Sequence, residues 1–192
     1  MNLTAIAEQQ TRERPANMPS KDALFCSYNV GHHPECQDAV NECDAFLCDL
    51  VASRGRWISL LGKSGVGKTM LSRIMRRFVR TSTNRKGMFI RWITACDYMR
   101  KGDFGVIDAM ADADVLFCDD IGAAYETDLS KKKILEIAER RTQKPTVFTS
   151  NLDLEGIGRE IDVRVASRML RDGSRIAQFK ECPDYALANY IK

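Results

Sequence analysis

Trp57-Ile58-Ser59-Leu60-Leu61-Gly62-Lys63-Ser64-Gly65-Val66-Gly67-Lys68-Thr69 is the stretch that decides the fold. A short apolar run breaks into a glycine-rich turn, and the turn opens onto Met70, Leu71, Ile74, Met75 and Phe78, apolar positions at helical spacing. Glycines let successive backbone N–H groups converge on one anion, and the N-terminus of the following helix adds partial positive charge. Gly62-x4-Gly67-Lys68-Thr69 in a strand, turn, helix setting therefore reads as a phosphate-binding loop. Its expected ligands are ATP and Mg²⁺. Gly62, Lys63, Ser64, Gly65, Val66 and Gly67 cradle the phosphates, Lys68 reaches the β- and γ-phosphates, and the Thr69 hydroxyl holds the ion, which prefers oxygen ligands.

Outward from this loop, residues 35–51 place Ala39, Val40, Cys43, Phe46, Leu47 and Leu50 on one helical face. Downstream, apolar runs at Met88–Thr94, Val115–Cys118, Thr146–Thr149 and Arg175–Phe179 join Trp57–Leu61 as candidate strands. Near-continuous apolar runs separated by helical segments belong to strands covered on both faces, so the expected fold is α/β: a three-layer P-loop NTPase with a five-stranded parallel sheet. Residues 1–23 are polar, contain Pro15 and Pro19, and read as a flexible arm or partner-binding tail ahead of a core over 24–192.

The run Val115–Cys118 ends in Asp119-Asp120, 50 positions after Thr69. Carboxylates delivered at the C-terminal end of a buried strand sit where open α/β sheets bind ligands. Asp119 is thus the second candidate for Mg²⁺, and Asp120 the group that orients or deprotonates an attacking water. Paired acids also occur in ordinary turns; the spacing from the phosphate loop favours the functional reading. No Asn-Lys-x-Asp element for guanine is present, so ATP is the expected nucleotide. A small-molecule kinase would use the same cradle but needs an acceptor pocket and a lid bearing arginines.

With these residues in place the sequence resembles the AAA+ ATPases, especially the bacterial DnaC helicase loaders and the IstB-type transposition ATPases, over about Leu24 to Phe179. The resemblance rests on Asp119-Asp120-Ile121-Gly122, on Glu139-Arg140-Arg141 closing a helix, and on Pro145-Thr146-Val147-Phe148-Thr149-Ser150-Asn151-Leu152. It implies that Asn151 is the sensor-1 polar residue between cradle and carboxylate, a position that Asn also fills as a simple turn residue. It likewise implies that Arg164-Val165-Ala166-Ser167-Arg168 carries arginines completing a neighbouring subunit's site, with Arg168 the finger and Arg164 in support, or the reverse. Spacing alone makes the two a basic stripe with Arg171. By the same resemblance the chain hydrolyses ATP, forms a homo-oligomer and loads a replicative DNA helicase. Three departures stand out: Asp120 where most AAA+ hydrolases carry glutamate, about a dozen residues after the last strand and hence no C-terminal helical lid, and a short leading segment.

The formal net charge is +3, but its distribution is uneven. Leu50–Cys96 holds 11 Lys and Arg and no acid, while Asp97–Leu129 holds nine acids and two bases. Arg73, Arg76, Arg77, Arg80, Arg85, Lys86 and Arg91 could neutralise the phosphates of single-stranded DNA, or form an ordinary solvated face. No apolar run is long enough for a membrane span and no secretory leader is evident, so a cytoplasmic protein is expected. Seven scattered cysteines read as free thiols. Cys26, His32, His33, Cys36 and Cys43 contain no tight Cys-x2-Cys pair, and Cys43 lies on an apolar helix face, which argues against zinc.

Overall fold

The computed structural model describes residues 14–16, 18–28, 33–123, 127–171 and 173–185. Five strands, β1 (Trp57–Gly62), β2 (Gly87–Arg91), β3 (Val115–Ile121), β4 (Thr146–Ser150) and β5 (Arg175–Phe179), form one parallel sheet in the order β2-β3-β4-β1-β5. Side chains alternate across it with the period of two that a pleated strand imposes. Ile58, Leu60, Val115, Phe117, Val147, Ala177 and Phe179 face one apolar layer; Trp57, Leu61, Leu116, Cys118 and Phe148 face the other.

The first layer is closed by α1 (Lys21–Phe25), α2 (Pro34–Val51) and α3 (Lys68–Ser82) through Phe25, Phe46, Leu47, Leu71, Met75 and Phe78. The second is closed by α4 (Trp92–Arg100), α5 (Gly105–Asp112), α6 (Asp128–Arg140), α7 (Leu154–Ile157) and α8 (Val163–Met169). A π-helical turn at Gly158–Asp162 joins α7 to α8. Burying each large side chain stabilises the fold by about 1.5–3 kcal/mol, so both faces of the sheet contribute. The α/β three-layer fold with five parallel strands is as expected, and no lid helices occur among the described residues.

Several boundaries differ from the sequence reading. The second strand stops at Arg91 because Trp92, Ala95 and Met99 recur at helical spacing and bury themselves as one face of α4. The third runs past Cys118 to Ile121, so both aspartates lie inside β3. The packed chain also begins before Leu24. Arg14 forms an ion pair with Asp44 at 2.6 Å, Met18 is buried in the core, and Ser20 caps α1 by accepting from Ala23 N. An arm ending at residue 23 is therefore too long; residues 1–13 lie outside the described residues, and the stretch from Arg14 is held by charge and apolar burial.

Arg141, just after α6, is fully buried without a carboxylate partner among the described residues. Its Nε donates to Thr146 Oγ1 at 2.8 Å, Nη1 donates to the carbonyls of Met110, Ala111 and Ala113, and Nη2 donates to Pro145 O at 2.7 Å. Burial lowers its pKa to about 10, and the charge stays because five acceptors surround it. Trp57 Nε1 in turn donates to Arg141 O at 3.0 Å. One side chain thereby ties the ends of α5 and α6 to the start of β4.

Candidate nucleotide site

The loop after β1 is shaped by glycine. Gly65 and Gly67 have φ of 76° and 90°, conformations that cost other residues energy, and Gly67 is the N-cap of α3. There is no room for a side chain either: a Cβ on Gly67 would meet the Tyr28 ring at 2.5 Å, and one on Gly65 would meet the Asp184 carboxylate. The segment after β5 thus leans on the loop, and Tyr185 N donates to Gly65 O at 3.2 Å. From the other side Tyr28 Oη donates to Val66 O at 2.9 Å.

Lys68 opens α3 and is 6% exposed. Its Nζ donates to Gly62 O at 2.6 Å, Lys63 O at 2.5 Å and Asn151 Oδ1 at 3.0 Å. Burial lowers its pKa, and Asp120 and Asp119 partly oppose that shift. Thr69 Oγ1 donates to the Asp119 carboxylate at 2.9 and 3.1 Å. Asn151 Nδ2 donates to Asp120 Oδ1 at 3.0 Å, so one amide spans the gap between the ammonium and the second carboxylate. This bridging follows from strand order, since β4 lies between β1 and β3 and presents Asn151 just beyond its end.

The geometry of Asp119-Asp120 depends on a bulge. Cys118 pairs with Phe148 and Ile121 with Ser150, so β3 spends three steps where β4 spends two. Asp120 occupies the left-handed region at φ 64°, which Asp tolerates better than most residues. Its N–H donates to Thr149 Oγ1 at 2.8 Å, and the same hydroxyl donates to Asp119 Oδ1 at 2.8 Å. Thr149 therefore positions both carboxylates, a role missed by the sequence reading because it arises from cross-strand register. Burial raises the pKa of Asp120, Asp119 adds to the rise, and Lys68 and Arg91 oppose it.

The residues fit a Mg²⁺-nucleotide. Hydroxyl and carboxylate oxygens of Thr69 and Asp119 make a hard donor pair, and Lys68 and the N-terminus of α3 supply positive charge beside it. A cavity of about 400 Å³ adjoins the loop, lined by Gly62, Lys63, Asn151 and Phe179, with Arg159 and Lys180 adding positive charge that sequence patterns did not single out.

Arg164 and Arg168 stand apart from this cluster on α8. Arg164 is exposed and pairs with Asp162 through Nε at 3.0 Å and Nη2 at 2.9 Å. Arg168 is more enclosed: it donates to Glu139 Oε1 and to Arg164 O, each at 3.2 Å, while its buried Nε has no hydrogen-bond partner among the described residues. It lines a cavity of about 270 Å³ with Arg56, Trp57 and Arg171, at the end of the sheet where β1 begins. On α3, Arg73, Arg76, Arg77 and Arg80 are exposed, and the first two lie over the Phe89 ring at 5.7 and 5.8 Å.

Sheet order, phosphate loop and carboxylate strand define the fold as that of the AAA+ P-loop ATPases. Among solved structures, the chain is similar to the DnaC helicase loader, with 20% identity, coverage of 81% of this chain and 98% of that one, and a TM-score of 0.66. It is similar to DnaI at 20% identity, covering 84% and 90%, with a TM-score of 0.64. AMPPCP-bound DnaA from Aquifex aeolicus superposes at 15% identity, covering 81% of this chain and 51% of that one, with a TM-score of 0.63. No protein-family model matches the chain, and no curated protein matches it. Among the described residues no helix is long and apolar enough to cross a membrane.

Proposed function

We propose that the chain binds and hydrolyses ATP as a DnaC-like helicase loader in DNA replication, oligomerising on ATP and contacting single-stranded DNA. One observation carries the reading: the continuous set Lys68, Asn151 and Asp120 lies beside the Thr69–Asp119 pair at the C-terminal edge of the sheet. ATP with Mg²⁺ would supply the labile phosphoryl group and neutralise its charge.

Lys68 and the loop N–H groups would bind the phosphates, and Thr69 with Asp119 would hold the ion. Asp120, its carboxyl raised by burial and by Asp119, is suited to accept a proton from water, and Asn151 fixes its orientation through Nδ2. Asp120 is one methylene shorter than the glutamate usual in this family, which accords with slow turnover. Arg164 is exposed on α8 and available to a neighbouring subunit once released from Asp162; Arg168 must first leave Glu139. The acid-free α3 face offers Arg73, Arg76, Arg77 and Arg80 to DNA phosphates. Likeness to DnaC and DnaI supports a helicase as partner over the transposase of an IstB-type helper.

The test is ATP hydrolysis against protein concentration, with and without single-stranded DNA. Rate per subunit should rise with concentration, Lys68→Ala and Arg168→Ala or Arg164→Ala should each be inactive alone, and mixing Lys68→Ala with the arginine variant should restore part of the rate. Concentration-independent turnover with harmless arginine variants would refute assembly and favour a monomeric kinase or switch.

A further inference from the structure

The first turn of α2 and the segment after β5 meet at a cluster that the nucleotide site does not use. Glu35 accepts from Glu181 N and Cys182 N at 3.0 Å, which brings Cys182 against Cys36 across 146 positions of sequence. His33 is the N-cap of α2, yet its side chain caps nothing, and its buried Nδ1 has no hydrogen-bond partner among the described residues. Ligand atoms of His33, Cys36 and Cys182 all lie within 4.8 Å of one another, and the cysteines are 1% and 4% exposed. Tyr185 Oη lies 3.8 Å from Cys36 Sγ and 3.9 Å from Cys182 Sγ.

A buried imidazole nitrogen without a partner has lost its hydration with nothing in return. A cation bound at Nδ1 would supply the missing partner. With bond lengths of about 2.3 Å to sulfur and 2.0 Å to nitrogen, tetrahedral zinc sets its ligand atoms roughly 3.5–3.8 Å apart. The cluster is within about 1 Å of that arrangement. Two thiolates and an imidazole also select a soft or borderline ion over Mg²⁺.

We propose that His33, Cys36 and Cys182 form a binding site for a thiophilic divalent cation, Zn²⁺ by chemistry, whose fourth position opens toward Tyr185 Oη. Two metal–sulfur bonds and one metal–nitrogen bond form, and the two thiol protons pass to solvent. Cys26 and Cys43 are outside the site: Cys26 is exposed, and Cys43 is buried on the apolar face of α2. Such an ion would pin residues 182–185 to α2, and this same segment rests on Gly65 of the phosphate loop.

The test uses the full chain, reduced, stripped with chelator and titrated with Co²⁺. One equivalent should produce the visible bands of a tetrahedral thiolate site, and one equivalent of Zn²⁺ should bleach them. Cys36→Ser and Cys182→Ser should each abolish the spectrum, while Cys26→Ser should leave it unchanged. Should a serine variant fold poorly by circular dichroism, the wild-type chain still decides: Zn²⁺ at a hundredfold excess over Kd should raise Tm by roughly 5 °C or more. No cobalt spectrum and no Tm shift in the reduced wild type, an unchanged spectrum in the folded double serine variant, or a Cys36–Cys182 disulfide whose reduction restores no metal uptake would overturn the site. No readout involves nucleotide, so this proposal and the ATPase reading fail separately.

Discussion

Thr149→Val tests whether one buried hydroxyl holds the carboxylate pair. The substitution is nearly isosteric, but it removes the donor to Asp119 Oδ1 and the acceptor of Asp120 N, both at 2.8 Å. A bond to a charged acceptor contributes about 1.5–3 kcal/mol, and an enclosed N–H left without a partner costs about 1–3 kcal/mol. The expected loss is thus about 3–5 kcal/mol, read by urea unfolding at unchanged m, with Tm falling by roughly 6–20 °C in a domain of this size. Hydrolysis should fall on the order of 100-fold if Asp120 shifts by about 1 Å. Thr149→Ser keeps both bonds, deletes one methyl group worth about 1 kcal/mol, and should retain turnover. If Thr149→Val unfolds within about 0.5 kcal/mol of wild type, or if serine is as damaging as valine, the positioning argument is wrong.

Asp120→Asn should abolish hydrolysis and leave nucleotide binding intact, since asparagine tolerates the left-handed backbone and keeps an acceptor for Asn151; filter binding and phosphate release measure the two. Because the Asp120 pKa is raised in the nucleotide-free chain, the acid limb of the kcat/KM profile, which reports the free enzyme, should lie above the ordinary carboxylate range. The folded state holds that proton more tightly than the unfolded chain, so stability falls as pH rises from the ordinary carboxylate value through the raised one; Asp120→Asn should flatten that part of the curve. Arg141→Met should cost about 3–5 kcal/mol, because the carbonyls of Met110, Ala111, Ala113 and Pro145 and the Thr146 hydroxyl all lose a donor, and denaturant midpoints will show it. Ser72→Ala should stabilise by about 1 kcal/mol, as the fully buried Ser72 Oγ has no partner among the described residues and alanine suits a helix better; a Tm rise of roughly 2–4 °C is expected.

Much of the fold is local and could be read directly. Trp57 to Phe78 is strand, glycine turn and amphipathic helix in unbroken order, so its spacing alone specifies loop and layer. Arg175–Phe179 was legible at both ends because Gly173-Ser174 precedes it and Lys180 follows it. Met88–Thr94 was not: Trp92 to Thr94 are compatible with a strand, and only burial of Trp92 with Ala95 and Met99 makes them helical. Asp119 and Asp120 could be located by position, whereas the bulge that turns Asp120 to positive φ depends on pairing with β4. Arg141 reads as a helix-end surface charge until the carbonyls of distant residues surround it. Cys36 and Cys182 could not be paired by spacing at all, for nothing local links positions so far apart.

The sheet also carries its own pair of optical probes. Trp57 starts β1 at the end remote from the phosphate loop, edge-on to Phe148 with centroids 5.1 Å apart, while Trp92 follows β2 directly after Arg91, which pairs with Asp119. Both indoles are buried, so neither signal is dominated by solvent. Replacing either with phenylalanine isolates the other. A chain keeping only Trp92 then reports events at the carboxylate edge, and one keeping only Trp57 reports whether they travel the length of the sheet, with no dye attached.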